Sequence, residues 1–360
     1  MPDIPSFLER CARPHLAENL RYPAYRTLGS IGAVVGFVVV VLLAALADRP
    51  WNEVAVVTIT VPASFLLAVK LSVIAFRYER IVFYEKTLFV LGMTAVVLHS
   101  AGLPLGRGID LATIGTGVFL VFGRLGCFMV ACCYGCPARW GVRYGEAHAR
   151  VGFPPWLVGR TLFPLQLVDA AVSTLGVAAA LVAWRTTAAP GVAAAIYLVV
   201  YGLGRFFEEF FRHDAARPRW CGGSEAQWTA VLIAWGLLML IGIRWWTAAN
   251  ATLLTIALVA TFTRRRRLTD AWHTAELAAK FRELESQATS SAVTSLGIHA
   301  SFARIDTPVG RFRDFILSSP DAATLLDEGT VASLVDAVGL DGATIRPAAT
   351  PGLFHVLVRL

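Results

Sequence analysis

Long apolar runs alternate with short arginine-bearing connections along the first 263 residues of this chain. The runs lie near 29–47, 54–76, 87–102, 111–134, 166–184, 191–211 and 227–243, with a shorter one at 248–263. A helix that crosses a bilayer needs roughly 20 mostly apolar residues. Backbone groups in lipid must be satisfied within their own segment, so such runs read as helices rather than strands. The pattern therefore predicts an all-α integral membrane protein with seven transmembrane helices, or eight if 248–263 also crosses.

The pattern changes at both ends. Residues 1–28 form a polar lead, residues 29–263 the membrane body, residues 264–292 a basic and amphipathic helical linker, and residues 293–360 a small soluble α+β module. Arg264 to Arg267 open the linker, and Leu268, Trp272, Leu277, Phe281 and Leu284 follow at helical spacing. The Ser/Thr-rich stretch Thr289 to Ser295 predicts a linker. Phe354, Val356, Val358 and Leu360 alternate as in a half-buried strand, and 321–339 predicts two short helices. Arg21 and Arg26 precede an apolar run ending Ala45-Leu46-Ala47, as at a signal-peptide cleavage site. The run is too long for an h-region, so it is read as a span.

Composition sharpens this picture. Of the 360 residues 56% are hydrophobic and 16% charged, against about a quarter charged in soluble chains. The formal net charge of +7 is carried by arginine, with Lys only at Lys70, Lys86 and Lys280. Arginine grips phosphate with a planar donor fork, where lysine offers a point charge. A basic membrane protein also arises from the positive-inside rule, so charge alone names no ligand and implies no nucleic-acid partner.

Ionisable groups inside apolar runs are costly and are functional candidates by default. Two constellations stand out. One is Gly123-Arg124-Leu125-Gly126-Cys127-Phe128-Met129-Val130-Ala131-Cys132-Cys133-Tyr134-Gly135. The other is Tyr201-Gly202-Leu203-Gly204-Arg205-Phe206-Phe207-Glu208-Glu209-Phe210-Phe211-Arg212. On a helix, Tyr201, Arg205, Glu208, Glu209 and Arg212 share one broad face. Arg205 can pair with Glu209, although Arg before Glu is the weaker order for helix stability, which adds weight to a ligand-facing role. The competing readings are an ion pair that locks helix packing and an interfacial arginine reaching to headgroups.

These two segments resemble the bacterial prolipoprotein diacylglyceryl transferase family. Its signature has the form Gly-Arg-x-Gly-Asn-Phe-x-Asn-x-Glu-x-x-Gly, followed later by Tyr-Gly-x-x-Arg-Phe-x-x-Glu-Phe-x-Arg. Phe163-Pro164-Leu165-Gln166-Leu167 is similar to the family's His-Pro-x-Gln-Leu, and Gly223 to Gln227 stand at its Gly-Gln helix start. Val82-Phe83-Tyr84-Glu85-Lys86 falls where the family carries Phe-His-Gly-Gly, so Tyr84 takes the histidine's place. Cys127 stands for the first signature Asn, Val130 for the second and Cys132 for the Glu. The resemblance covers roughly residues 25–245.

The resemblance implies a phosphatidylglycerol donor, a prolipoprotein cysteine as acceptor, a plasma-membrane location in bacteria, and no cofactor. It implies Arg124, Arg205, Glu209 and Tyr84 as catalytic residues. Gly126, Cys127, Gly135, Gln166, Tyr201 and Gln227 are implied to bind substrate. Each arginine reads as a lone cation in its span, and together they would flank one cavity and contact the lipid phosphate. Thiols are mostly protonated at neutral pH, so a base is needed. Tyr84 is a poor one, and Glu85, Glu208 or Glu209 are the alternatives.

The cysteines open another class of reading, a membrane protein with metal or redox chemistry at a cysteine cluster, beside a thiol that acts in lipid transfer. Cys127, Cys132, Cys133, Cys136 and Cys221 cluster near the site; Cys133 and Cys136 form a Cys-x-x-Cys, and Cys132 and Cys136 stand one helical turn apart. The paired spacing of a zinc ribbon is missing, so no metal is expected and the cysteines read as packing groups. A non-catalytic binder of anionic lipid is a further alternative. Arginine counts are high in the lead and in the even-numbered connections, which places them in the cytoplasm by the positive-inside rule. The family resemblance places the same face outside, and that is the expectation adopted.

Overall fold

The computed structural model describes residues 4–15, 22–77, 83–154, 157–187, 189–212, 219–220, 223–241, 244–262, 271–286, 290–294, 297–307, 310–319, 326–340, 342–350 and 352–360. The chain divides into two compact units. One contains residues 1–153, 159–212 and 226–256, and the other residues 154–158, 213–225 and 257–360.

Each of the eight apolar runs is a helix. After a short N-terminal helix α1 (Ile4–Cys11) come α2 (Ala24–Leu46), α3 (Trp51–Phe76), α4 (Phe83–Ser100) and α5 (Leu105–Val130). A strand β1 (Pro137–Arg143), a single turn α6 (Glu146–Ala149) and a strand β2 (Thr161–Leu162) form the loop before α7 (Leu165–Thr186). Then follow α8 (Val192–Glu208), a two-stranded ribbon of β3 (Arg219–Trp220) and β4 (Gly223–Ser224), α9 (Glu225–Ile241) and α10 (Trp245–Phe262). Among the described residues, four segments are both long and apolar enough to cross a bilayer: Ala24–Leu46, Trp51–Ala75, Leu105–Val130 and Leu165–Thr186. Helices α4 and α10 have 18 residues each, and α8 and α9 have 17 each. Two runs end earlier than their hydropathy suggests, α5 at Val130 rather than 134 and α8 at Glu208 rather than 211.

Helix α5 is the centre of the first unit, packing against α2, α3, α4, α7 and α8. Small residues allow this closeness, as expected where helices meet in lipid. A Cβ on Gly36 would lie 2.7 Å from the Gly115 carbonyl oxygen, and one on Gly117 would lie 2.6 Å from the Tyr197 ring. Asp110 closes one end of the bundle. Its carboxylate accepts from the Gly191 and Ala194 amides at 2.9 and 2.8 Å, capping the start of α8. Arg107 stands 3.8 Å from Asp110 and lies over the Trp184 ring. The opposite end, where α5 and α8 finish and α7 begins, is thereby left to hold other groups.

The second unit carries the C-terminal module. Helix α11 (Ala271–Glu285) precedes β5 (Ser291–Val293), β6 (His299–Thr307) and β7 (Gly310–Ser318); α12 (Glu328–Val338), β8 (Thr344–Pro347) and β9 (Leu353–Arg359) complete it. The five strands form one antiparallel sheet in the order β5-β6-β7-β9-β8. Its core joins Leu277, Phe281 and Leu284 of α11 to Phe315, Val331, Leu334 and Val356, with the Phe281 and Phe315 rings stacked 4.3 Å apart.

Several expectations are corrected here. The amphipathic helix is part of the module's core rather than a linker, because its apolar stripe needs a sheet to cover it. The Ser/Thr-rich stretch contains the edge strand β5, since ladder pairing with β6 outweighs its turn-like composition. One helix is described over 321–339, capped by Asp327 accepting from the Thr330 amide at 2.7 Å. Residues 320–325, Arg264 to Arg267, Leu268 and Cys221 lie outside the described residues. Phe354, Val356 and Val358 alternate inward as predicted, whereas Leu360 lies past the strand and is exposed.

Candidate active site

Arg124 sits near the end of α5 and is 7% exposed. Its Nε lies 2.8 Å from Asp169 Oδ2 on α7, and its Nη2 donates to the Tyr201 hydroxyl on α8 at 3.4 Å. Its Nη1 reaches Cys133 Sγ at 3.8 Å. Arg205, one turn beyond Tyr201, donates to Glu209 and stands 3.9 Å from Glu208 Oε2. Arg212 approaches the same Glu209 oxygen at 3.9 Å. Neither arginine is the lone cation that the sequence suggested. A guanidinium in an apolar bundle needs a carboxylate close by, and Asp169 and Glu209 supply it.

Aromatic side chains fix these groups. Tyr201 stacks on Tyr197 with ring centroids 5.8 Å apart, and the Tyr197 hydroxyl meets Ser173 Oγ at 3.0 Å. Tyr84, buried at the start of α4, meets Tyr201 edge-on at 6.0 Å. Arg124, Tyr201, Arg205, Glu209 and Tyr84 are thus brought together from three helices.

Beyond Val130 the chain turns sharply, with Ala131 and Cys133 both at positive φ, 60° and 56°. The expected helical turn between Cys132 and Cys136 is therefore absent, because α5 has already ended. Gln166 holds this turn by donating to the Cys132 carbonyl at 2.7 Å. Gly135 pairs with Arg212 in an antiparallel bridge, and the Cys136 amide donates to the Phe211 carbonyl at 2.8 Å. The loop after α5 is so tied to the end of α8. A Cβ on Gly135 would lie 2.6 Å from the Phe163 carbonyl oxygen, and one on Gly126 would lie 2.7 Å from Tyr25 Cα. Protein fills the space beside both glycines, which suits close chain packing. Gln227, buried on α9, donates to the Phe206 carbonyl at 3.4 Å.

The three carboxylates that sequence left open as bases differ in their surroundings. Glu85 pairs with Lys86 at 2.9 Å, and Glu209 is engaged by Arg205. Glu208 is 4% exposed, yet neither of its oxygens accepts a hydrogen bond among the described residues. Asp169 lies close enough to Glu208 for the two carboxylates to interact. Asp169 is the participant that sequence reasoning missed. The available signal was an acid inside an apolar run, three residues after Gln166 on the same helix.

Residues 24–245 match the sequence profile of the prolipoprotein diacylglyceryl transferase family. The chain belongs to that family. One relative is the phosphatidylglycerol–prolipoprotein diacylglyceryl transferase 2 of Clostridium perfringens (strain 13 / Type A), 29% identical over 142 residues, 37% of this chain and 50% of the relative. Another is the phosphatidylglycerol–prolipoprotein diacylglyceryl transferase of Clostridium tetani (strain Massachusetts / E88), 31% identical over 108 residues, 29% of this chain and 41% of the relative. The chain thus spans about half the length of these curated relatives. The family match includes every residue of the site described above and leaves out the C-terminal module.

Proposed function

We propose that this protein transfers a diacylglyceryl group from phosphatidylglycerol to the cysteine thiol of prolipoproteins. The observation that carries the reading is the pair of buried arginines that meet around Tyr201, each beside a carboxylate, at one end of a helical bundle. Two guanidinium groups can grip a phosphodiester and stabilise the charge that grows on departing glycerol phosphate. In this reading Arg124 and Arg205 hold the phosphate, and Glu209 orients Arg205. Tyr84, Tyr201, Gln166, Gln227, Cys127, Gly126 and Gly135 shape the lipid and peptide sites. Glu208 takes the proton of the attacking thiol in this reading, since neither of its oxygens accepts a hydrogen bond among the described residues, whereas Glu85 pairs with Lys86 and Glu209 accepts from Arg205. A positioned base of this kind contributes about 10²- to 10⁴-fold.

The protein is read as a multi-pass component of the bacterial cytoplasmic membrane with seven spans, α2–α5 and α7–α9. Purified protein incubated with phosphatidylglycerol and a lipobox peptide should add the mass of one diacylglyceryl group to the peptide. Phosphatidylglycerol that binds without any mass gain would favour a non-catalytic lipid-binding role instead.

A further inference from the structure

The scheme above uses Cys127 only to shape a site and gives Cys132 and Cys133 no part, yet the three cysteines meet at the end of α5. The Sγ atoms of Cys127, Cys132 and Cys133 all lie within 4.8 Å of one another. Cys127 comes from the last turn of α5, and the other two from the turn that follows. That turn places two non-glycine residues, Ala131 and Cys133, in the left-handed region within three positions. Such backbone is uncommon outside glycine, and strained backbone collects at ligand and active sites. Here it folds the chain back so that the sulfurs of Cys132 and Cys133 reach Cys127. The Cys132 amide donates to the Cys127 carbonyl at 3.1 Å, and Gln166 fixes the Cys132 carbonyl. None of the three is in a disulfide, and Cys132 is exposed.

Three thiols so arranged are ligands for a soft cation. Zinc–thiolate bonds of about 2.3 Å put tetrahedral sulfurs about 3.8 Å apart, within the observed spread. Zinc with three protein ligands keeps its fourth position open, the arrangement of catalytic rather than structural sites. Three thiolates around a dication carry one net negative charge, and Arg124, which also pairs with Asp169, turns its Nη1 to Cys133 Sγ at 3.8 Å. The missing zinc-ribbon spacing has no bearing on a site of this kind, which takes only three protein ligands. Cys136 is not in the group, and its amide serves the link to Phe211.

We propose that Cys127, Cys132 and Cys133 hold a zinc ion whose open position takes the acceptor thiol. The inference rests on the transferase reading above and adds what activates the nucleophile where Tyr84 replaces a histidine. A thiol bound to zinc is deprotonated, and its proton passes to Glu208. The thiolate sulfur then forms a bond to the lipid glycerol carbon that carries the phosphate. The carbon–oxygen bond breaks, and glycerol phosphate leaves with the electron pair between Arg124 and Arg205.

The test uses the full chain in detergent. Elemental analysis should give about one zinc per chain, and a Cys127→Ser/Cys132→Ser protein should retain less than a tenth of it. Cys136→Ser should keep the metal, which separates ligand loss from misfolding. Cobalt(II) in place of zinc should give thiolate charge-transfer bands that shift with a cysteine lipobox peptide and not with its serine analogue. Chelation should stop transfer, and zinc should restore it. Transfer that persists in metal-free protein would overturn the zinc site and leave the transferase reading standing. Bound metal and a peptide-induced shift, without lipid transfer from any loaded sample, would support the site and overturn the transferase reading.

Discussion

Arg124 and Asp169 form a buried ion pair, so a single substitution at either removes more than a contact. Arg124→Gln leaves the Asp169 carboxylate uncompensated, which costs about 3–5 kcal/mol, whereas replacing both charges is nearly neutral. The double variant Arg124→Gln/Asp169→Asn should therefore recover most of the thermal stability lost in Arg124→Gln while transfer stays absent. A double variant that transfers lipid at the wild-type rate would remove Arg124 from the chemistry. Asp169 escaped the sequence reading because a lone acid in an apolar run names no partner. Its partner is contributed by another helix 45 positions earlier, and only packing reveals the pair. The arginines were legible for the opposite reason: each stands in a motif of several fixed positions. The cysteine triad was half legible, since Cys127, Cys132 and Cys133 were noted but their convergence depends on a left-handed turn that spacing does not encode. Residues in the loop after α5 add a pH response. Burial lowers the pKa of His148 below its ordinary value, and its Nδ1 accepts from the Gly145 amide at 3.2 Å, which requires that nitrogen to be unprotonated. The unfolded chain takes up the proton near the ordinary value of about 6.5. Stability is then complete above that pH and falls as pH drops toward the lowered folded value. Melting temperatures at pH 7.5 and 5.5 should differ more for the wild type than for His148→Gln.

Among the helices, apolar run length fixes existence far better than it fixes ends. All eight runs are helices, but Glu208 and Val130 end two of them early because the loop after α5 must bond to the end of α8. That link is a non-local backbone bridge between Gly135 and Arg212, and no periodicity within either run foretells it. The contact of α2 with α5 offers a test at this scale. Gly32 and Gly36 present a small-xxx-small face, and a Cβ on Gly36 would lie 2.7 Å from the Gly115 carbonyl oxygen. Backbone cannot yield as a side-chain tip can, so Gly36→Val should force the helices apart at a cost of about 1–3 kcal/mol. Gly92→Ala on α4 is the control, with nothing within 4 Å of the new methyl group. It should be neutral or stabilising by up to about 1 kcal/mol. Equal loss of thermal stability in the two variants would show that helix propensity, rather than close packing, governs these positions.

At the scale of the whole molecule, the membrane side on which the site opens decides whether the proposed reaction meets its acceptor. A precursor lipoprotein presents its cysteine at the outer surface, so the Arg124 and Arg205 end of the bundle is expected to open away from the cytoplasm. The positive-inside rule argues the other way, because the lead and even-numbered connections carry three or four Arg and Lys each against about one in the others. Ion pairing does not resolve this. Arg143 and Arg212 meet Glu9 and Glu209 on the rich side, but Arg49 and Arg107 meet Glu53 and Asp110 on the poor side. Helix α10 holds the balance. Its 18 residues make about 27 Å at 1.5 Å per residue, slightly short of a hydrocarbon core of about 30 Å. If α10 does not cross, Arg264 to Arg267 lie on the cytoplasmic side under an outward-opening site, and the conflict shrinks to loops that bind phosphate. Single cysteines at the exposed positions Glu146 and Ser291, in a background with the native cysteines replaced by serine, give the readout. A membrane-impermeant maleimide applied to intact cells should label position 146 and leave 291 untouched until the cells are opened. Labelling at both positions would mean that α10 crosses as an eighth span with the site still facing outward. Protection at 146 would put the site on the cytoplasmic leaflet, where no translocated lipoprotein cysteine can reach it, and the proposed acceptor would fall.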